Sequence, residues 1–342
     1  MTNPTLTQAI DALASGRDLG VEETGEVLAQ IMAGEATEVE IAGFLIALRT
    51  KGETVDELVG LARTMRALAT PVEVGREDLV DTAGTGGGWP TFNVSTTAAL
   101  IAAGAGCVVA KHGNRSATSR SGSADLLEAL GARIDLAPDA VGQCIRDVGF
   151  GFMFAPLHHQ ATRFVVPVRK QLAVRTIFNF LGPLTNPAGA TRQLIGVSDE
   201  RFVDTIAGAL ALLGAQRALV VSSEDGLDEL SACAETHVVE VNGAKLDRYT
   251  VGPEEVGLER CARDEIAGGD AEDNARITRR VIAGEQGPAR AVSVLNAGAA
   301  IYASGRQDSL GAGVRAAEQA IDSGAAADTL ERYLARSVEL AP

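Results

Sequence analysis

Short apolar runs alternate with alanine-rich runs of helical pattern along the chain after Pro71. The strand-like runs are Leu79-Val80, Val108-Val109, 152–154, 219–221 and 237–241. The helical patterns are 123–132, 201–214 and 313–323. Strands that alternate with helices favour a mostly parallel sheet covered by helices. We therefore expect an α/β domain with a mostly parallel central sheet.

The N-terminal part of the chain has a helical pattern without strand-like runs. Two capping boxes mark helix starts, because a threonine is followed three residues later by a glutamate. These are the pairs Thr37–Glu40 and Thr54–Glu57. We expect a small all-helical domain over residues 1–70, with a probable dimerisation surface as its role, and a larger α/β domain over 71–342.

The charge balance limits the partners of this chain. There are 30 Lys and Arg residues against 45 Asp and Glu residues, which gives a formal net charge of -15. Such a balance argues against a nucleic-acid partner or an acidic membrane surface. An anionic substrate must therefore be bound by a local site that works against the overall charge.

The N-terminal sequence and the spacing of the cysteines indicate the cellular compartment of the protein. The N-terminal sequence has no basic region followed by an apolar core, and no stretch approaches the roughly 20 apolar residues of a membrane span. The four cysteines are far apart and form no CxxC motif. They are Cys107, Cys144, Cys233 and Cys261. We expect a cytoplasmic protein whose cysteines are reduced, buried small hydrophobes.

The stretch GTGGGWPTFNVST, residues 84–96, has four glycines in its first five positions. Glycine lets the backbone turn sharply and approach a ligand closely. Hydroxyl residues then open a helical run and are expected to cap it, so free amide groups and the positive end of the helix dipole would face the loop. The stretch predicts a phosphate-binding loop, although its spacing is neither that of a P-loop nor that of a dinucleotide motif. The alternative is a tight strand-to-helix turn.

A second strand, polar loop and helix occur in KHGNRSATSRSGSAD, residues 111–125. Ser121 or Ser123 would cap the following helix beside basic, amide and hydroxyl groups. A polar surface loop is the alternative, but two such loops favour a ligand with two separate phosphate groups. Like Gly84, Lys111 and Glu224 follow strand-like runs, so we expect all three at one edge of the sheet.

Carboxylates cluster in EDGLDELS, residues 224–231. A solvated acidic turn is the usual explanation for such a run. Adjacent carboxylates together with substrate phosphates are, however, a common way to bind Mg²⁺, which prefers oxygen ligands. Asp228 and Glu229 are therefore a candidate magnesium site.

The stretch 156–187 combines histidines, arginines and an apolar segment. His158 and His159 are adjacent, and such a pair is more often structural than catalytic. Arg169 is a candidate for binding a carboxylate through two hydrogen bonds. Gly182-Pro183 would supply an apolar wall.

Six motifs occur in an order that resembles the anthranilate phosphoribosyltransferase family of tryptophan biosynthesis. They are DTAGTGG, FNVST, VAKHGNRS, SGSAD, VRTIFNFLGPLTNP and DGLDELS. The resemblance runs from the N-terminal helices to the region around Asn296–Ser304. It implies a fold of the nucleoside phosphorylase and phosphoribosyltransferase type, in which the helical domain mediates a homodimer. The implied reaction is attack of the anthranilate amino group on phosphoribosyl pyrophosphate, with release of pyrophosphate and with Mg²⁺ as cofactor.

The resemblance also implies roles for individual residues. Those that would contact phosphoribosyl pyrophosphate are Gly84, Thr85, Gly86, Gly87, Asn93, Ser95, Thr96, Lys111, Asn114 and Ser123. Those that would contact anthranilate are Gly84, His112, Asn114, His159, Arg169 and Pro183. Those that would hold the metal are Ser95, Asp228 and Glu229. The catalytic residues would be Lys111, which offsets the charge of the diphosphate, and Arg169.

The sequence departs from the family pattern at two places. Gly88-Trp89-Pro90 stands where the family has an Asp, a Gly and two variable residues, so this loop is one residue shorter and lacks a carboxylate. Trp89 is a candidate to cap the site instead. The second departure is HQAT at 159–162, where the family tends to have Pro after the His and Met at the fourth position. It bears on the choice of acceptor.

Three other functions compete with this interpretation. A pyrimidine nucleoside phosphorylase shares the fold and the glycine loop, but the FNVST and LGPLTNP motifs favour the transferase. A non-catalytic relative that binds nucleic acid would need a basic groove, which the net charge disfavours. The same chemistry on another aminobenzoate is left open by the sequence.

Overall fold

The computed structural model describes residues 2–116 and 120–342, and the elements named below lie within them. The helices are α1 (Pro4–Ala14), α2 (Val21–Ala33), α3 (Glu38–Lys51), α4 (Val55–Leu68), α5 (Val94–Gly104), α6 (Ser123–Leu130), α7 (Pro138–Val148), α8 (Ala155–His158), α9 (Val166–Leu172), α10 (Phe178–Leu184), α11 (Val203–Leu212), α12 (Ala271–Ile282), α13 (Pro288–Ala303), α14 (Leu310–Asp322) and α15 (Ala325–Glu339). The strands are β1 (Leu79–Gly84), β2 (Val108–Gly113), β3 (Phe150–Phe154), β4 (Arg192–Gly196), β5 (Arg217–Ser223), β6 (Thr236–Asn242) and β7 (Lys245–Val251).

The strands form one sheet in the order β3-β2-β1-β4-β5-β6-β7. Neighbours from β3 to β5 are parallel, whereas β6 pairs antiparallel with β5 and β7 antiparallel with β6. The expected α/β domain with a mostly parallel sheet is thus confirmed. The strands β4 and β7 were not among the predicted runs.

Both faces of the sheet are covered by helices. In β5, Leu219 and Val221 belong to a core shared with α5, α7 and α13–α15, whereas Ala218 and Val220 belong to a second core shared with α1–α4 and α11. Successive side chains of a strand point to opposite faces, so a strand buried on both faces has a continuous apolar sequence. This explains why the central strands appear as uninterrupted apolar runs.

The N-terminal helices begin where the capping boxes predicted. Thr37 accepts a hydrogen bond from the Glu40 amide and caps α3, and Thr54 does the same for Glu57 at α4. The core of these helices continues into α10 and α11, so apolar packing does not stop at residue 70. The domain boundary at 70/71 stays a prediction. No helix of the described residues is long and apolar enough to cross a membrane.

The cysteine prediction is wrong for two of the four residues. Cys107 and Cys144 are buried as expected, but Cys233 and Cys261 are only half-buried, and their Sγ atoms are 3.1 Å apart. Residues 28 positions apart in sequence meet because the backbone amide of Cys261 donates to the carbonyl of Ala232.

Candidate active site

The glycine loop begins at the carboxyl end of β1, in the middle of the parallel part of the sheet. Gly84 pairs in register with Gly196 of β4, and the Thr85 amide donates to the Gly196 carbonyl at 2.8 Å. Gly86 and Gly87 have φ angles of 67° and 93°. These lie in the left-handed region that side chains rarely adopt. The glycines therefore allow the turn that the sequence predicted.

The glycine loop closes around a carboxylate of the chain itself. The backbone amides of Gly86 and Gly88 are among the groups that counteract the effect of burial on the pKa of Asp228. A Cβ at Gly88 would lie 2.5 Å from Oδ1 of Asp228, and one at Gly84 would lie 2.9 Å from Oδ2. Only glycine lets the backbone approach this anion so closely. The loop is thus shaped to hold an oxygen anion.

Glu229 follows Asp228 in the sequence and lies near Ser95, which stands in the first turn of α5. The backbone amide of Ser95 is near enough to Glu229 to favour its charged form. Burial raises the pKa of Asp228, and burial together with the neighbouring Asp228 raises the pKa of Glu229. Negative charge on these two adjacent carboxylates is thus disfavoured by their surroundings, and a cation bound between them would stabilise it.

The amino group of Lys111 lies close enough to Glu229 to supply positive charge to it. Its side chain is 1% exposed, and its Nζ donates to the Thr82 carbonyl at 2.5 Å and to the Ser95 hydroxyl at 3.4 Å. Burial lowers its pKa, and the charges of Asp81 and Glu229 oppose that shift. The sequence placed Lys111 in a loop after a strand. It lies inside β2 instead, because that strand continues to residue 113.

Sequence reasoning missed two buried residues beside Lys111. Asp81 is fully buried; its Oδ1 accepts from the His112 amide at 3.1 Å and its Oδ2 accepts from Nδ2 of Asn186 at 2.8 Å. Burial raises the pKa of Asp81 to about 6, against the opposing effect of Lys111. Both residues stand in the quoted motifs DTAGTGG and LGPLTNP, which could have drawn attention to them.

His112 and His159 lie together, with ring centroids 5.1 Å apart. Nδ1 of His112 is 3.2 Å from the carbonyl of Gly182, and Nε2 of His159 is 3.1 Å from that of Thr185. A carbonyl only accepts, so these nitrogens carry the hydrogens. The pKa of His112 is lowered to about 3, mainly by burial and then by His159, and burial lowers that of His159 to about 4. Both rings are therefore neutral near pH 7.

The other ring nitrogen of His112 lacks a hydrogen-bond partner in the part of the chain that the structure describes. Nε2 of His112 is buried and has no hydrogen-bond partner among the described residues. The same holds for Oγ1 of Thr96 in the first turn of α5. Buried polar atoms are normally hydrogen-bonded, so each unpaired one needs a reason. An acceptor at His112 and a hydroxyl at Thr96 are consistent with the roles implied by the family resemblance.

Arg169 is half-buried on α9. Its Nη2 is 3.5 Å from Oδ1 of Asn179, and its guanidinium lies 5.5 Å from the ring centroid of Phe178. Burial lowers its pKa, yet arginine remains charged. The guanidinium of Arg169 thus has donors left for an anion.

Pro183 is buried inside α10, and its carbonyl accepts a hydrogen bond from Nε2 of Gln193 at 2.8 Å.

Arg175 is a further residue that sequence reasoning assigned no role. Its Nη1 donates to the Gly86 carbonyl at 2.6 Å and to Oγ of Ser198 at 2.9 Å. Its own carbonyl accepts from Nη1 of Arg49 on α3 at 2.7 Å. Arg175 thus connects the glycine loop to the helical part of the chain. It lies within the motif VRTIFNFLGPLTNP but far from the loop in sequence.

The second predicted loop is only partly described, since Ala117, Thr118 and Ser119 lie outside the described residues. Neither Ser121 nor Ser123 is the N-cap of α6: the cap is Gly122, whose amide donates to Asp125 at 2.8 Å. Ser123 is the first residue of the helix, beside the exposed Asn114. The expectation of a serine cap is therefore wrong, because an acidic side chain provides the cap.

Charges in the second loop are largely compensated within the protein. Arg115 forms ion pairs with Asp125 at 2.7 Å and Glu128 at 2.5 Å.

Glu224, one of the three residues predicted at the strand ends, is exposed, and its carboxylate lies 3.6 Å from Nε2 of His237. The acidic residues that reach the glycine loop are Asp228 and its neighbour.

Asn93 joins the two loops rather than capping α5 with its side chain. Asn93 is the N-cap residue, but its side chain makes no cap hydrogen bond. Its Nδ2 donates to the Ser121 carbonyl at 3.1 Å, and its Oδ1 accepts from Nδ2 of Asn274 at 2.9 Å. The expected hydroxyl cap at this helix is wrong, and the side-chain amide of Asn93 instead fixes one loop against the other.

The donor set beside Ser95 fits Mg²⁺. Among residues 2–116 and 120–342, no group of three or more His, Cys, Asp or Glu side chains is placed to hold a metal. The two carboxylates and the Ser95 hydroxyl are all oxygen donors. Mg²⁺ commonly binds to one or two carboxylates and completes its shell with water and substrate phosphates. The residues present are thus sufficient for a metal that is shared with a phosphorylated ligand.

Comparisons with known proteins agree with this geometry. Residues 76–327 match the glycosyl transferase family, a/b domain, and residues 7–69 match its helical bundle domain. The anthranilate phosphoribosyltransferase of Rubrobacter xylanophilus is 53% identical over 98% of both chains, and that of Moorella thermoacetica is 49% identical over 96% of this chain and 98% of its own.

Solved structures give the same result. The anthranilate phosphoribosyltransferase of Thermus thermophilus superimposes with a TM-score of 0.92 at 48% identity, covering 96% of this chain and 99% of its own. The enzyme of Saccharomyces cerevisiae, solved in complex with PRPP and Mg, has a TM-score of 0.91 at 28% identity and covers 99% of both chains. The chain belongs to the anthranilate phosphoribosyltransferases of this glycosyl transferase family.

Proposed function

We propose that this protein transfers the phosphoribosyl group of phosphoribosyl pyrophosphate to the amino group of anthranilate, releasing pyrophosphate, in tryptophan biosynthesis. Membership in the family supports the reaction. The observation that carries it is the close approach of the glycine-loop backbone to Asp228, one of two adjacent carboxylates that lie near the buried Lys111. A site of this kind binds a diphosphate and a metal together.

The donor site comprises the glycine loop and the start of α5. The backbone at Gly84 and Gly88 approaches the Asp228 carboxylate closely, so the loop has room for an oxygen anion next to its amides. Diphosphate oxygens bound in the loop would take this place, and Asp228 would be one of the residues that hold Mg²⁺. Asn93, Ser95 and Thr96 extend the site along α5. Hydroxyl and amide groups at a helix N-terminus suit phosphate.

The remaining donor contacts that we propose are Gly84, Thr85, Gly87, Asn114 and Ser123. Ser95, Asp228 and Glu229 would hold Mg²⁺. When bound there, the metal supplies positive charge to the diphosphate oxygens as they depart. Lys111, whose Nζ lies 3.4 Å from the Ser95 hydroxyl, would supply further positive charge there. Charge developing on the leaving group is thus met by groups already in position.

The acceptor site is proposed around the histidine pair. Arg169 binds the carboxylate of anthranilate, since its guanidinium retains donors and little water competes in its half-buried position. His112, His159 and Pro183 line the ring, and Gly84 and Asn114 bound the path to the sugar. The unpaired Nε2 of His112 offers an acceptor to the amino group.

Little proton chemistry is required of the protein. An aromatic amine is neutral at pH 7 and attacks C1 of the ribose without a strong base. The depressed pKa values of His112 and His159 keep both rings neutral, so neither repels the cation-like sugar. Catalysis then rests on positioning the two reactants and on electrostatic stabilisation of the leaving group.

The test is loss of anthranilate fluorescence in the presence of the purified protein, phosphoribosyl pyrophosphate and Mg²⁺. We expect loss only when donor and metal are both present, and Asp228→Asn should raise the Mg²⁺ requirement. Glu224→Gln is the matched control, because this exposed carboxylate lies in the same segment. Consumption of 4-aminobenzoate in place of anthranilate would redirect the proposal to another acceptor. No consumption of either would contradict it.

The proposal includes a homodimer and location in the cytoplasm, which both stay predictions. Exposed apolar side chains support the pairing of two chains: Val39 is 81% exposed and Ile46 37% exposed on α3, and Val166 is 53% exposed on α9, which packs against α3. Exposed apolar side chains on two neighbouring helices suit an interface. Sedimentation of the purified protein tests the dimer.

A further inference from the structure

The half-buried cysteines Cys233 and Cys261 form a pair outside the residues of the proposed reaction. Their Sγ atoms lie 3.1 Å apart. The backbone positions both: the Cys233 amide donates to Oγ of Ser231 at 2.9 Å, and the Cys261 amide donates to the Ala232 carbonyl at 3.0 Å. A disulfide needs about 2.05 Å between the sulfurs, so about 1 Å of side-chain movement joins them.

The pair connects two segments that border the site. Cys233 follows the Asp228-Glu229 pair by a few residues. The segment after Cys261 packs on the far half of the glycine loop: Arg263 lies 5.5 Å from the ring centroid of Trp89, and Ala267 forms a β-bridge with Thr91. A bond between the cysteines would therefore connect the carboxylate segment to the segment that supports the glycine loop.

The two cysteines are partly exposed, and the fluorescent side chain of Trp89 packs against the same apolar cluster. Both cysteines are half-buried, unlike Cys107 and Cys144. They pack, together with Trp89, against a small apolar cluster formed by Phe92, Val94, Ala232, Ile266 and Val292. Trp89 is the sole tryptophan of the chain.

We propose that Cys233 and Cys261 are a reversible oxidation site at which a peroxide forms an intramolecular disulfide. The inference stands independently of the proposed function, because it rests on the cysteine pair alone. The site would restrain the segment that carries Asp228 and Glu229.

The reaction is a two-electron oxidation of the pair. The sulfur of Cys233 attacks one oxygen of hydrogen peroxide, the O–O bond breaks, and a sulfenic acid and one water form. The sulfur of Cys261 then displaces the hydroxyl group, which leaves as a second water with the thiol proton, and the S–S bond forms. The same disulfide forms whichever of the two sulfurs attacks the peroxide first. A dithiol reverses the reaction.

The test treats the full-length protein with hydrogen peroxide and then alkylates it with iodoacetamide under denaturing conditions. The reduced chain has four cysteines to alkylate, and the disulfide removes two of them from reaction. Trypsin should give the peptide 218–245 joined to the peptide 261–263, since arginine or lysine precedes or ends each. The joined peptide should disappear with dithiothreitol.

Single-cysteine variants show whether the joined peptide comes from Cys233 and Cys261. Cys233→Ser should abolish the joined peptide, and Cys261→Ser provides the same test should the first variant fold poorly. Cys144→Ala is the control and should leave the joined peptide unchanged. Alkylation of all four wild-type cysteines after peroxide treatment would overturn the proposal. So would oxidation of Cys233 to a sulfinic acid without any joined peptide.

Fluorescence of Trp89 gives a second, independent readout in the folded protein. A disulfide in its cluster should quench the emission, and dithiothreitol should restore it. Cys233→Ser should show no peroxide-dependent change. Wild-type emission that does not change although the disulfide forms would overturn the inferred coupling to the glycine loop.

Discussion

The guanidinium of Arg175 lies directly on the backbone of the glycine loop, with Nη1 at 2.6 Å from the carbonyl oxygen of Gly86. A Cβ at Gly87 would lie 1.7 Å from the same nitrogen. The glycine loop is thus in close contact with both Asp228 and Arg175. Its glycines allow positive φ angles, and they also allow these side chains to approach the backbone closely. Mutation can separate the two roles.

Gly86→Ala and Gly87→Ala form a matched pair for this purpose. Both glycines have positive φ, so each alanine costs about 1–2 kcal/mol of backbone strain. A Cβ at Gly86 meets nothing within 4 Å, whereas one at Gly87 collides with Arg175. We expect Gly87→Ala to raise the KM for phosphoribosyl pyrophosphate at least about tenfold more than Gly86→Ala does. Equal effects in steady-state kinetics would show that Arg175 moves away freely.

Lys111→Ala should reduce kcat/KM more than any single histidine change. Loss of a preorganised positive group beside a leaving group costs about 2–4 kcal/mol, or about 30–900-fold in rate. His159→Ala removes a neutral ring and should cost far less. Because Asp81 is buried beside Lys111, circular dichroism must first show that the variant is folded. Comparable losses of kcat/KM in the two variants would contradict the assigned role.

Arg169→Ala should weaken acceptor binding selectively. A hydrogen bond to a charged group contributes about 1.5–3 kcal/mol, so the KM for anthranilate should rise about 10–100-fold. The KM for phosphoribosyl pyrophosphate should change about twofold or less. Arg163→Ala is the control, since Arg163 is exposed and lies over the ring of Phe164. A rise confined to the donor KM would remove Arg169 from the acceptor site.

The buried His112 should make the protein less stable in acid. Its pKa is lowered to about 3, so below about pH 6.5 the unfolded chain binds a proton that the folded protein does not. Its stabilising contribution is complete above the unfolded pKa and is lost as pH falls towards the folded pKa. Between about pH 7.5 and pH 5 the loss should be about 2 kcal/mol.

Urea unfolding of wild type and His112→Asn at both pH values checks this. The variant is expected to be less stable at each pH, because it alters a buried group. Only the difference between the two pH values tests the prediction, and it should be smaller in the variant. The same difference in both proteins would mean that His112 is protonated in the folded state.

The sequence predicted those parts of the fold that have strong local signals. Fully buried strands such as β5 are continuous apolar runs, and Thr37 and Thr54 mark their helices through capping boxes. In contrast, β7 lies at the sheet edge with mostly exposed or half-exposed side chains, and β4 is a short run flanked by polar residues. Neither carries an apolar pattern that is distinct from a loop.

The site was predictable to the extent that its motifs are local. The glycine loop and the Asp228-Glu229 pair come together as expected, since both follow strands at the carboxyl edge of the sheet. The contacts of Arg175 with the loop and of Cys233 with Cys261 depend on chain segments brought together by folding. No residue spacing encodes these contacts, so sequence reasoning could not find them.

Transfer at the glycine loop is tested by the ratio of pyrophosphate released to anthranilate consumed, with purified protein, phosphoribosyl pyrophosphate and Mg²⁺. Transfer at the glycine loop predicts one pyrophosphate for each anthranilate, and neither change without the other substrate. Release of pyrophosphate that does not depend on anthranilate, or consumption of anthranilate without pyrophosphate, would contradict the account.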